Sequence, residues 1–226
     1  MTEHLLAVLQ FADGLFPSGG FAHSFGLETY TQAGAVHDAR GVADFVRAFL
    51  SASAGPSDAV AAACAARRAA VSDLAGCVDV DQCLDAMKWV PEFRAASRQM
   101  GRQTARVAET GDGFMASIRQ SIDDATTPGH HAIVFGAALG RHQAAPEMVA
   151  AAYLHSTATL LVNAALRLVA LGQIEGQRVI ASLRPLIATL ARDAASADAA
   201  AMWSFTPALE MAGIRHAELE ARMFRS

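Results

Sequence analysis

Lysine is nearly absent from this sequence. Lys88 is the single lysine of 226 residues, and every other basic side chain is arginine. A phosphate-binding P-loop needs Gly-Lys-Ser/Thr where a helix begins, with the lysine reaching the β- and γ-phosphates. The one glycine-rich turn, Phe16-Pro17-Ser18-Gly19-Gly20, has no lysine and no preceding strand, so neither a P-loop nor a dinucleotide fingerprint is present. Cysteine is scarce as well. Cys64, Cys77 and Cys83 are odd in number and form no Cys-x-x-Cys, which excludes a disulfide framework or a zinc ribbon and suits a reducing cytoplasm. Aromatics make up only 7% of the chain, and sustained alternation of β-branched residues is missing. Basic charge is not in excess: 18 Lys and Arg stand against 22 Asp and Glu, a net charge of −4, which argues against a nucleic-acid partner. Met1-Thr-Glu-His4 lacks the basic region of an export signal. The longest uncharged stretch, Met148 to Leu166, is interrupted by His155, Ser156, Thr157, Thr159 and Asn163, and so reads as the central helix of a bundle rather than a membrane span.

What is abundant is alanine, with apolar residues recurring at three- and four-residue steps. The pattern predicts an all-α protein, one compact multi-helix bundle of about ten helices. Ser24 is placed to cap a helix ending at Gly34, and Asp38 to cap the next. Gly55-Pro56 reads as a break with a restart at Ser57-Asp58, and Asp79 or Asp81 as the cap of a short helix to Trp89. Further helices are expected from Pro91 to Thr110, Phe114 to Asp123, His130 to Gly140, Pro146 to Leu171 with Gly172 closing it, and Glu175 to Asp193 with a kink at Pro185. No linker divides residues 1–206. Pro207 sets off a tail, residues 207–226, in which Leu209, Ala212, His216, Leu219 and Met223 make one helical stripe and Glu218 can pair with Arg222. A helix this short is marginal alone and needs a surface, its own body or a partner.

Catalytic chemistry finds no foothold. The eight histidines include no i, i+4 pair around a glutamate, so no metal site is expected, and there is no Gly-x-Ser-x-Gly elbow. Glu28, Asn163, Ser156 and Arg167 are harder to place. An arginine on so apolar a helix wants an anion or an opening. Two readings stay open: Glu28 and Arg167 pair inside the domain, or both lie on a surface that meets another protein.

Five segments, in order, resemble one family. Pro17-Ser-Gly-Gly-Phe21-Ala-His-Ser24-Phe-Gly26-Leu27-Glu28 resembles the opening signature of the urease accessory family UreF. Arg98-Gln-Met-Gly101-Arg102, Arg167-Leu168-Val-Ala-Leu171-Gly172-Gln173, Pro207 through His216, and Arg222-Met-Phe224-Arg225-Ser226 are similar to its later segments. Phe16, Ser18 and Gly213 depart from the pattern, and Thr126–Gly129 has no counterpart in it. The resemblance implies a non-catalytic, cytoplasmic, homodimeric chaperone. It would bind UreD (UreH) and recruit the GTPase UreG for nickel insertion into apo-urease. No cofactor would be held stably: nickel would be handled transiently, and GTP would bind UreG. The tail would be loosely held until it orders on UreD, with Leu209, Leu219, Met223 and Phe224 as apolar anchors. Arg215, His216, Arg222, Arg225 and the carboxylate of Ser226 would add polar contacts. Glu28 and Arg167 would lie near the surface that meets UreG. The rival readings are a small-molecule enzyme with a deep cavity on a helical bundle, and a structural helical oligomer.

Overall fold

In the computed structural model, residues 2–108 and 111–226 are described, and they contain helices and turns but no strand. The elements are α1 (Thr2–Ala12), a 3-10 turn (Gly20–Ala22), α2 (Leu27–Gln32), α3 (Ala39–Phe49), a π-helix (Leu50–Ala59), α4 (Val60–Ala70), α5 (Leu74–Met87), α6 (Pro91–Ala108), α7 (Gly113–Asp123), α8 (His131–Arg141), α9 (Pro146–Leu168), α10 (Gln173–Ser196) and α11 (Pro207–His216). The expected end of the sixth helix at Thr110 lies outside the described residues.

Small side chains set the centre. Ala61, Ala62, Ala63, Ala65 and Ala66 of α4 are buried, and Ala62 and Ala66 meet α8, which brings Gly136 and Gly140 to the contact. A Cβ on either glycine would collide with the backbone of Ala62 or Ala66. The two helices therefore touch main chain to main chain, and dispersion replaces large side chains as the cohesive force. Helix α9 lies across this pair and also packs on α10, α1 and the π-helix. It is the one helix, among the described residues, with the length and apolar composition to cross a membrane. Its buried face, including Leu154, Ala158, Leu161 and Ala165, is the middle of the core.

Several local expectations need correction. Gly55-Pro56 does not break the chain. The backbone runs on from α3 to α4 through the π-helix, whose wider turn admits a residue that has no N–H to give. Asp81 caps nothing. It is buried and accepts from Thr127 Oγ1, Gly129 N and His130 N, while Asp73 caps α5. Burial pushes the Asp81 carboxyl up against the pull of those three donors. Helix α9 ends at Leu168, and Gly172 sits at the start of α10, which continues through Pro185. Nor does the tail stripe reach Met223 as a helix. Helix α11 stops at His216, and residues 217–226 follow without regular structure. Arg222 accordingly pairs with Glu92, not Glu218.

The α4–α8 contact gives a direct test. Gly140→Ala should lower stability by about 1–3 kcal/mol, the usual cost of overpacking. A shift in thermal midpoint measures it, and an unchanged midpoint would show that the two backbones can separate without cost.

Candidate partner-docking site at the carboxyl-terminal clasp

The site forms where residues 207–226 return to the segment after α1. Helix α11 lies on α2 and α6. Gly213 makes this approach possible, because a Cβ there would strike Phe93 and Val90. The residue that weakens the isolated helix is thus required by its seat. Leu209 and Ala212 are buried, while Met211 and Ile214 face outward.

Beyond α11 the chain is held mainly by polar groups. Glu28 is 2% exposed, and its carboxylate gathers the tail. Oε1 accepts from Met223 N at 2.7 Å; Oε2 accepts from Phe224 N at 3.1 Å and from His216 Nε2 at 3.0 Å. The other ring nitrogen of His216 lies 2.7 Å from Glu92 Oε2, so both bonds form together only when the ring carries two protons. Burial pushes the Glu28 carboxyl up, but the two amides and the imidazole outweigh it and hold it below its usual range. At the tip, Ser226 is fully buried. Its main-chain oxygen accepts from Ser24 N, Phe25 N and Ser24 Oγ, and its hydroxyl lies 2.9 Å from His23 Nδ1. Arg225 N donates to Ala22 O. Ser24 serves both the tail and the start of α2: its Oγ also accepts from Glu28 N at 3.4 Å and its carbonyl from Leu27 N, although Gly26, in the left-handed region, holds the N-cap position.

Arg167 completes the clasp from outside. Its guanidinium carbon sits 4.4 Å above the centre of the Phe224 ring, and Nη1 donates to Phe21 O at 3.1 Å. The first sequence reading is not what the fold contains: Glu28 and Arg167 are not an ion pair. Of the second, Arg167 lies on the surface, while Glu28 is buried beneath the tail. They meet on opposite sides of one residue, Phe224: the carboxylate takes its amide and the guanidinium covers its ring. Asn163 and Ser156 line a neighbouring groove of about 110 Å³ that also includes Arg167.

The expected anchors separate into two sets. Leu209, His216, Phe224 and Ser226 are buried inside this chain, and Leu219 is half-buried. Arg215, Arg222, Met223 and Arg225 face solvent. His23, Ser24 and Glu92 also serve the clasp. The first two lie in the glycine-rich signature, but nothing local in the sequence marks Glu92.

The clasp is a small unit with few apolar contacts, so it should open before the body. Glu28→Gln keeps the volume but removes the charge from three bonds, and should weaken the clasp by about 3 kcal/mol. The readout is faster amide exchange in residues 217–226, with the α4–α8 core still protected. Acid should act in the same direction. Burial, with help from Arg225, lowers the His23 pKa from 6.5 to about 4, so its contribution is complete above about pH 6.5 and is lost as pH falls toward 4. The depressed Glu28 carboxyl contributes fully above 4.5 and loses its share as pH falls below that, through its folded value. Tail exchange, corrected for intrinsic rates, should therefore accelerate on going from about pH 7 to about pH 4. A flat profile would mean the clasp is not held by these groups.

Comparison with known proteins identifies the relatives of this chain. The UreF family model matches residues 36–184. A urease accessory protein UreF from Corynebacterium efficiens is 30% identical over 98% of this chain and 96% of its own length. Those of Methylorubrum populi and Cereibacter sphaeroides are 33% and 34% identical, over 98% and 100% of both chains respectively. The family model stops short of Glu28 and the tail, but the relatives align across both. The chain belongs to the UreF family of urease accessory proteins.

Proposed function

We propose that this protein is a non-catalytic maturation chaperone of the cytoplasm, a homodimer that binds UreD (UreH) and recruits UreG for GTP-dependent nickel insertion into apo-urease. The observation that supports it is the clasp. Ten residues without regular structure, 217–226, are laid over the body by one carboxylate, a main-chain oxygen and one aromatic ring. Such a segment is exchangeable: a partner that offers a groove to Phe224 and Leu219 can replace what the body provides, as in helix-in-groove recognition. Meanwhile Met223, Arg222 and Arg225 are already presented outward, an apolar anchor flanked by two cations.

UreD is the partner assigned to the tail. UreG is assigned to the adjoining surface around Arg167. Because Arg167 leans on Phe224, the two contacts share one patch, and movement of the tail on UreD changes what UreG meets. Glu28 acts here through the tail rather than by touching UreG. Nickel passes through the assembly as cargo, and GTP belongs to UreG.

Deleting Arg215–Ser226 should abolish capture by UreD while circular dichroism shows the helical body intact. Glu28 then faces water, so the loss of its partners costs little. Met223→Asp, at a position 54% exposed, should weaken UreD capture without lowering the thermal midpoint. UreD binding unchanged in both variants would overturn the assignment. Arg167→Glu should reduce UreG recruitment to the complex while leaving the UreD contact in place.

A further inference from the structure

A second hollow in the body has a composition that the clasp does not explain. It is a cavity of about 70 Å³ that opens toward the surface. Space of that size holds on the order of five waters. Phe49, Phe93, Met100 and Leu160 form apolar walls, and Leu209 and Glu210 of α11 close one side. The floor is polar and buried. Asp58, at the end of the π-helix, lies 2.8 and 3.0 Å from the ammonium of Lys88, the single lysine, and also accepts from Ser57 Oγ and Tyr153 OH. The charges of this floor balance. Lys88 and Ser57 outweigh the cost of burial and hold the Asp58 carboxyl below its ordinary range.

Two hydrogen-bonding functions remain open. The carboxylate engages the Lys88 ammonium through both its oxygens, which leaves at least one of its three protons without a partner among the described residues. The second opening is on His131, which is 7% exposed. Its Nδ1 is 3.1 Å from Thr104 Oγ1, whose own proton goes to Met100 O at 3.0 Å. The hydrogen-bond network therefore assigns the proton to Nδ1 and leaves Nε2 a bare acceptor. That nitrogen has no partner among the described residues, and its side chain lines the cavity. Burial lowers the His131 pKa to about 4, so the ring stays neutral at physiological pH.

We propose that this cavity is a binding site for a small neutral molecule with a carboxamide on an apolar body. The carbonyl would accept from Lys88 Nζ, the amide N–H would donate to His131 Nε2, and the body would lie against Phe49, Phe93 and Leu160. A carboxylate offers no donor to His131 and adds charge beside Asp58. An ammonium offers no acceptor and meets Lys88. Because α11 supplies one wall, an occupied cavity also holds the start of the tail in place. Trp203 N and Phe205 N, which donate to Pro56 O and Ala52 O of the π-helix, tie the same wall to the floor.

The test is an NMR titration of the full-length protein with propionamide, propionate, propylammonium and n-butanol, following the His131 ring resonances. Propionamide should give a saturable shift of the His131 nitrogens and slower amide exchange in residues 204–210, with the other three at least tenfold weaker. His131→Phe keeps the ring volume and should weaken propionamide about tenfold or more, the loss of one buried hydrogen bond. Ser156→Phe, which removes no hydrogen bond, should block the cavity and abolish the shift in a protein whose His131→Phe counterpart fails to fold. No saturable shift with propionamide would overturn the proposal, showing a hollow that holds water alone. An equal response to n-butanol or propionate would overturn it as well, leaving an apolar hole without amide recognition.

Discussion

A buried carboxylate that accepts from two amides and an imidazole is the constraint around which the clasp is organised. Glu28 cannot lie at 2% exposure without donors, because an unpaired charge in that setting costs several kcal/mol. The donors at the start of α2 are already engaged, Leu27 N and Glu28 N by Ser24 and the Thr29 hydroxyl by Ala212 O. The chain supplies them from nearly two hundred residues away, as Met223 N, Phe224 N and His216 Nε2. This requirement works in both directions. Glu28 fixes the middle of the tail's path, and Glu28 is tolerable only while the tail is present or water has replaced it. A structure held in this way has two acceptable states, closed on itself or open and hydrated. A hydrophobic lock of equal strength would have one.

The division of labour between core and clasp follows from composition. The core depends on alanine and glycine, with α4 and α8 in backbone contact and α9 laid across them. Packing at that density is rigid and leaves little room for adjustment. The clasp has almost none of this. Its apolar content is Phe224 and a half-buried Leu219, and its remaining contacts are hydrogen bonds that a partner or solvent can replace. Local opening free energies follow buried apolar contact, so the two regions differ in stability by construction.

The helices were legible in the sequence because their signals are local: period, caps, prolines at first turns. Asp38 and Pro146 behave as their positions suggest. The errors share one physical origin. Gly55-Pro56 has the local form of a stop, but the contacts of Trp203 and Phe205 with that segment favour a continuous, widened helix. Asp81 has the form of a cap, but the turn at 127–130 claims it. Gly213 has the form of a weak point in a helix, but Phe93 needs the space. In each case a partner distant in sequence decided the outcome. The same holds at the site. The resemblance singled out Glu28, Arg167 and the tail together, yet no spacing rule could show that the first two meet on either side of Phe224.

One element joins the clasp to the cavity beneath it. Helix α11 gives Leu209 and Glu210 to the cavity wall and ends at His216, which sits between Glu28 and Glu92. Ten residues are about 15 Å of helix, too short to bend appreciably, so a displacement at one end is carried to the other. Anything that lifts His216 from Glu28 also moves the wall over Asp58 and Lys88. Anything that fills the cavity against Leu209 favours the seated helix and, through it, the closed clasp. Such coupling is reciprocal by linkage. A partner that took the tail would then loosen a molecule bound in the cavity, and that molecule would weaken the partner by the same factor.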